Sequence, residues 1–224
     1  APDGNRSFTF ARKPGADMFL EEEAVREEDI QESVIVHAGS CSLSASPADQ
    51  ATVKALRLGH ELGKLVSFDV NYRSVMWNDD QAACAGKVRE ILPYVDLLKV
   101  SDEEVDMMGG EAALPGLMEQ FGIAAVVETL GGAGARCFFA GDRWDVSGRK
   151  VPCVDTNGAG DAFWGAFLSS LRIQGVERTG QLTAEIVSRA MEYGNAAGAL
   201  TVQKKGAIPA LPARAEIEAF LAQL

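Results

Sequence analysis

What this sequence lacks narrows it first. It holds only two histidines, His37 and His60, and its four cysteines, Cys41, Cys84, Cys137 and Cys153, form no CxxC pair. That argues against a structural zinc site. Isolated cysteines of this kind read as reduced residues of a cytoplasmic protein. Positive charge is also scarce: 21 Lys and Arg stand against 32 Asp and Glu, a formal net charge of −11. Such a chain has no general attraction for nucleic acid and is repelled by an anionic membrane surface. No apolar run approaches the roughly 20 residues that span a bilayer. No charged-then-apolar leader is present either. The GxGxxG dinucleotide fingerprint and the P-loop pattern GxxxxGK followed by Ser or Thr are both missing. A nicotinamide-dependent dehydrogenase and a P-loop enzyme are therefore poor fits. There is no internal repeat, no low-complexity stretch and no linker-like segment.

What is present is ordinary globular composition: 224 residues, 47% of them hydrophobic. That is enough for one sizeable core, and we read residues 1–224 as a single domain. The chain opens at Ala1, without Met, close to a strand-like pattern. It reads as a protein entered partway through. Ser7-Phe8-Thr9-Phe10 alternates as a half-buried strand does. Acidic residues at 21–23 and 27–29 suit a solvated helix face. Strands are expected at 34–36, 65–68, 95–100 and 123–127, with helices at 48–62 and 79–91 and short ones at 102–108 and 114–121. An antiparallel hairpin fits 136–139 and 144–146, joined by Gly141-Asp142. Long helices fit 159–173 and 181–200, and an amphipathic one closes the chain near Leu221. Strands recurring with helices between them imply crossover units: an α/β fold with a mostly parallel sheet covered on both faces. Ligands of such sheets sit at the carboxyl ends of strands. Asp69, Ser101, Thr129 and Asp155 are all expected at or near such ends.

Residues 155–161 read Asp-Thr-Asn-Gly-Ala-Gly-Asp and run into the apolar stretch Ala162-Phe163-Trp164-Gly165-Ala166-Phe167-Leu168. Phe163 and Phe167 share a helical face, so a glycine turn opens a buried helix. The first N–H groups of a helix have no intrahelical partner, and the helix dipole adds positive charge there. Gly158 and Gly160 let an anion approach the backbone closely. These features make an anion hole with Asp161 in its first turn. A carboxylate so placed can take the proton of an attacking hydroxyl during phosphoryl transfer. It can equally be an acid that favours a helix N-terminus.

At this point the residues resemble a family. Asp155 to Asp161 is similar to the DTxGAGD signature of ribokinase-like (PfkB) carbohydrate kinases. Phe68-Asp69-Val70-Asn71-Tyr72-Arg73 resembles that family's D-x-N-x-R stretch, and Met76-Trp77 after it resembles the fructokinase branch. Leu97 to Glu104 resembles the N-x-x-E region, with Ser101 in place of Asn. Thr129-Leu130-Gly131 with Gly134 resembles the nucleotide-binding T-L-G-x-x-G turn. Asn195 to Ala199, with Lys204 to Ala207, resembles the adenine-side helix and the loop after it. The matches run in the family's order along essentially the whole chain.

The resemblance implies an ATP-dependent sugar kinase with a ribokinase-like fold, its side hairpin toward the C-terminus. Asp161 would be the catalytic base, and the N–H groups of Gly158, Ala159 and Gly160 would hold the transferring phosphoryl group. Arg73 and Asn71 would face phosphates or substrate; an ion pair of Arg73 with Asp69 is the rival for that arginine. Glu104 would hold Mg²⁺ through water, or simply favour a helix N-terminus. Thr129, Gly131, Gly134 and Asn195 would line the nucleotide, although Gly131-Gly132 also makes a plain turn and a helical Asn needs no ligand. Asp155 and Asn157 would begin a monovalent-cation loop for K⁺, completed by carbonyls near Thr201 and Gly206; a turn residue is the rival for Asp155. Cys153 reads as packing, and His37 as either a pocket residue or a buried structural one.

The resemblance further implies that an N-terminal portion, with the first strands, the lid and much of the sugar pocket, is absent from this sequence. The 224-residue chain alone is then expected to bind nucleotide weakly and phosphorylate sugar poorly. A homodimer of the full-length form, built through the lid, is also implied. Among sugars the segment 6–20 and the Arg73-to-Trp77 spacing favour fructose. 2-Keto-3-deoxygluconate kinase and aminoimidazole-riboside kinase are the near alternatives. A nucleotide-binding protein without kinase activity is the alternative of another class.

Overall fold

The computed structural model describes residues 15–223. The strand read at residues 7–10 lies outside them. The acidic segment becomes a 3-10 turn and a short exposed helix, α1 (Glu27–Glu32). The apolar runs then form parallel strands β1 (Ile35–Gly39), β2 (Leu65–Asp69), β3 (Leu97–Ser101) and β4 (Ala125–Thr129), each paired with the next. Helices α2 (Ala48–Glu61), α3 (Gln81–Ile91) and α4 (Leu114–Phe121) make the crossovers. Because every strand is added on the same side of the last, right-handed crossovers bring all three helices to one face. Leu56, Val88, Ile91 and Leu117 from these helices pack there with Val66, Phe68, Leu98 and Val126.

The sheet continues antiparallel through β5 (Gly134–Phe139) and β6 (Asp142–Ser147), in the spatial order β1 to β6. The hairpin turn falls at Ala140 and Gly141, with φ of 51° and 87°, one residue earlier than the sequence suggests. Two left-handed residues match the twist of a two-residue hairpin. Helices α5 (Ala159–Ile173) and α6 (Ala184–Thr201) cover the second face. Phe163, Phe167, Leu171 and Met191 meet Leu65, Leu97, Val127 and Cys137 there. Successive strand residues thus serve opposite cores, as the two-residue strand period requires. Helix α7 (Arg214–Leu221) packs on α6 through Ile217. The α/β architecture with both faces covered agrees with the sequence reading.

Some boundaries move. The helix expected over 102–108 is a 3-10 turn, Val105–Met108, stopped by Gly109 and Gly110 at φ 104° and 85°. Helix α6 starts at residue 184, because the Thr183 hydroxyl caps the Ile186 N–H. Asp155 is not at a strand end; residues 148–157 form a loop between β6 and α5. Among the described residues no helix is long and apolar enough to cross a membrane.

Candidate active site

Register decides what meets at the sheet's carboxyl edge. Gly39 lies beside Asp69, and Asp69 beside Lys99. The start of α5 comes down over these ends. Between them lies a cleft of about 360 Å³ whose walls include His37, Gly39, Asp69, Asn71, Asp161 and Trp164.

Gly158 is the N-cap of α5, with φ 73°. A Cβ there would lie 3.0 Å from the Ala207 Cβ. Only glycine suits a left-handed residue this close to a neighbouring loop. The first helical bond runs from the Ala162 N–H to the Gly158 carbonyl at 2.8 Å. Ala159 N–H points to the Thr156 carbonyl at 3.4 Å, so it is turned toward its own loop. Gly160 and Asp161 N–H have no acceptor among the described residues. Of the expected donors Gly158, Ala159 and Gly160, Ala159 is turned to its own loop, while the N–H groups of Gly158, Gly160 and Asp161 all lack an acceptor among the described residues.

The Asp161 side chain is exposed into the cleft. Asn71 Nδ2 approaches its Oδ1 at 3.5 Å. Asn71 is itself left-handed, φ 40°, a conformation Asn tolerates better than most residues. Its N–H donates to Asp69 Oδ1 at 3.2 Å, and its carbonyl accepts from Ser40 Oγ at 3.4 Å. Sequence reasoning missed the next partner. Lys99 is 4% exposed and donates to both oxygens of Asp69, at 2.9 and 3.0 Å. Asp69, named above as the alternative partner of Arg73, is thus held by Lys99. A signal existed: a lysine inside the apolar run Leu97-Leu98-Lys99-Val100 must be paired if buried. Burial pushes the Asp69 carboxyl up to about 6, while Lys99 pulls it down.

A second wall comes from β1. Trp164 Nε1 donates to Ser67 Oγ at 2.8 Å, and His37 Nδ1 lies 3.0 Å from the same oxygen. Ser67 is fully buried. Trp can only donate, so Ser67 Oγ accepts from Trp164, and its second lone pair and its proton both face His37 Nδ1. His37 keeps an exposed edge on the cleft, so it is the pocket residue of the two readings. Even so, its apolar surroundings, and next the Lys99 charge, lower its pKa against the Ser67 hydrogen bond and Asp161, which raise it.

The remaining expected residues have structural partners. Arg73 donates to the Tyr72 carbonyl at 2.8 Å. Glu104 is 6% exposed; its oxygens accept from Tyr72 N–H at 2.7 Å and Ser101 N–H at 2.9 Å. It ties the exit of β2 to the exit of β3. Thr129 ends β4, and its hydroxyl reaches the Val100 carbonyl at 3.4 Å. Gly131 has open space around it at φ 54°. Gly134 is needed for packing, because a Cβ there would lie 2.1 Å from the Val146 carbonyl oxygen. Asn195 is buried, and its amide donates to the carbonyls of Val146 (3.0 Å) and Ser147 (3.2 Å), fastening the hairpin to α6. Asp155 accepts from Asn157 N–H at 3.0 Å and Gly206 N–H at 2.9 Å, so it joins the two loops that flank the start of α5. Cys153 is exposed and not packed as expected.

Among the described residues no cluster of three His, Cys, Asp or Glu side chains is placed to bind a metal.

Comparisons with known proteins identify the family. The profile of the pfkB family carbohydrate kinases matches residues 1–214. "Probable fructokinase-5" of Arabidopsis thaliana is 36% identical over 98% of this chain, which spans 68% of that relative. A fructokinase from Vibrio cholerae O395, solved with fructose, ADP and calcium ion, is 33% identical with a TM-score of 0.83; the match covers 96% of this chain and 68% of that one. A fructokinase from Xylella fastidiosa with bound ATP is 27% identical, TM-score 0.89, over 100% of this chain and 72% of its own.

Proposed function

From the premise that the chain belongs to the pfkB family of carbohydrate kinases and is a sugar kinase, we propose that it transfers the γ-phosphoryl group of ATP to a hydroxyl of fructose, with Asp161 as base. The observation that carries this reading is the placement of Asp161. Its carboxylate stands in the first turn of α5, beside the open amides of Gly160 and Asp161, and on the wall of the strand-end cleft. A sugar hydroxyl in the cleft meets the carboxylate on one side and a phosphoryl group held by the amides on the other. Asn71, 3.5 Å from Asp161 Oδ1, orients the base. His37, on β1, faces the sugar from the cleft wall.

Glu104 would hold a nucleotide-borne Mg²⁺ through water, since each of its oxygens accepts one backbone N–H and keeps a lone pair; the ion would offset phosphate charge. K⁺ fits beside the loops that Asp155 joins, with Asn157 and carbonyls near Thr201 and Gly206, and would stiffen the start of α5. Thr129 and Gly131 border the nucleotide at the end of β4. Asn195 acts from behind, by holding the hairpin. The bound fructose, ADP and ATP of the solved relatives support the choice of substrates. The cytoplasm suits four cysteines, none of which is in a disulfide.

The test is ADP release by the full-length protein with MgATP, K⁺ and a panel of sugars. Fructose should exceed ribose, 2-keto-3-deoxygluconate and aminoimidazole riboside by about tenfold or more in kcat/KM. No ADP release with any sugar would refute the reading. A preference for another sugar would remove fructose alone.

A further inference from the structure

Asp69 and Lys99 are among the most buried charged residues described, 3% and 4% exposed, and neither touches the open cleft with its charge unpaired. A buried ion pair contributes little net stability, because desolvating two charges offsets their attraction. Its place in this fold is more informative than its energy. Lys99 Nζ lies under the first turn of α5, 3.7 Å from where a Cβ at Gly160 would sit. It grips both oxygens of Asp69, at 2.9 and 3.0 Å. Asp69 Oδ1 then accepts the Asn71 N–H at 3.2 Å, which fixes Asn71 in its left-handed conformation. Asn71 Nδ2 in turn reaches Asp161 Oδ1 at 3.5 Å. The chain of contacts runs from the strand floor to the base.

We infer that the Lys99–Asp69 pair is a positioning device: it holds Asn71, and through Asn71 the carboxylate of Asp161, in the orientation needed to take the sugar proton. This rests on the reading of Asp161 as base. Lys99 and Asp69 do not touch the reacting atoms. Aligned parallel strands put them side by side, and the first turn of α5 lies over the ammonium group. Without the pair, Asn71 loses the acceptor for its N–H and the loop after β2 is free to turn the amide away from the base.

The test is the double substitution Asp69→Leu/Lys99→Met in the full-length protein. An apolar pair of similar volume keeps the fold where a single charge removal would not. Thermal unfolding checks folding, and steady-state kinetics with MgATP and sugar give the readout. The expected result is a melting point near wild type and a kcat lower by about 10²-fold, with KM for both substrates within about threefold. A folded variant with wild-type kcat overturns the inference, as does one in which only KM rises. Should the double variant fail to fold, Asn71→Gly, which keeps the left-handed backbone and removes the amide through which the pair acts, carries the same test, with a kcat loss of about tenfold or more expected and wild-type kcat overturning it. Asp161→Asn is measured alongside. If Asp161→Asn stays active, the reading of the base fails. If it is inactive while the ion-pair variant turns over normally, only the positioning inference fails.

Discussion

The two glycines of the segment 155–161 make a sharp test, because the structure gives them different reasons. Gly158 has φ 73°, and its absent Cβ would sit 3.0 Å from Ala207 Cβ. Gly158→Ala forces an L-residue into the left-handed region at a cost of about 1–2 kcal/mol. The new methyl also presses on a loop that Asp155 holds through the Gly206 N–H at 2.9 Å. Together these predict a loss of about 2 kcal/mol, or a fall of about 4–8 °C in melting temperature for a domain of this size. Gly160 is different. It lies inside the first turn of α5, and its Cβ would meet only the end of the Lys99 side chain, at 3.7 Å. Gly160→Ala should therefore keep or raise stability, by up to about 1 kcal/mol from helix propensity. The same methyl stands where a phosphoryl group must approach the open amides, so kcat should fall by about 10²-fold. Thermal unfolding followed by circular dichroism and coupled ADP release separate the two effects. Equal melting temperatures for wild type and Gly158→Ala, or a Gly160→Ala protein as unstable as Gly158→Ala, would refute the reasoning.

Two further outcomes are expected. Asn195→Ala leaves the Val146 and Ser147 carbonyls without their donor, and should lower stability by about 1–3 kcal/mol; a urea midpoint unchanged from wild type would contradict the structural role given to Asn195. The Asp69 carboxyl, raised to about 6 by burial against the pull of Lys99 and with Glu104 and Asp161 also pushing it up, contributes stability below the ordinary carboxylate range that is lost as pH rises through 6. The melting temperature of wild type relative to Asp69→Asn should therefore fall between pH 4 and about 6.5, and a difference that rises over that window would contradict the shift.

Much of the fold is legible in the sequence because its signals are periodic. Leu65 to Phe68, broken only by Ser67, and Ala125 to Val127 are apolar runs, which is how strands covered on both faces must read. The start of α5 is legible because a glycine turn runs directly into the apolar residues around Phe163 and Phe167. What escapes the sequence is partnership. Lys99 hides in an apolar strand, and only register with Asp69 exposes its pairing. Glu104, Gly134 and Asn195 fall at family positions, yet the residue type alone does not tell that Glu104 binds two backbone N–H groups, that Gly134 makes room for Val146, or that Asn195 fastens β6. The one-residue shift of the hairpin turn has a similar origin: Ala140 adopts a left-handed conformation that its residue type disfavours.

The most direct measurement is the turnover of Asp161→Asn, an isosteric change at an exposed side chain that leaves the open amides in place. If the carboxylate takes the sugar proton, kcat falls by about 10²–10⁴-fold, while the dissociation constant for ATP stays within about threefold of wild type. An Asp161→Asn enzyme that phosphorylates sugar at the wild-type rate would contradict the account at its centre.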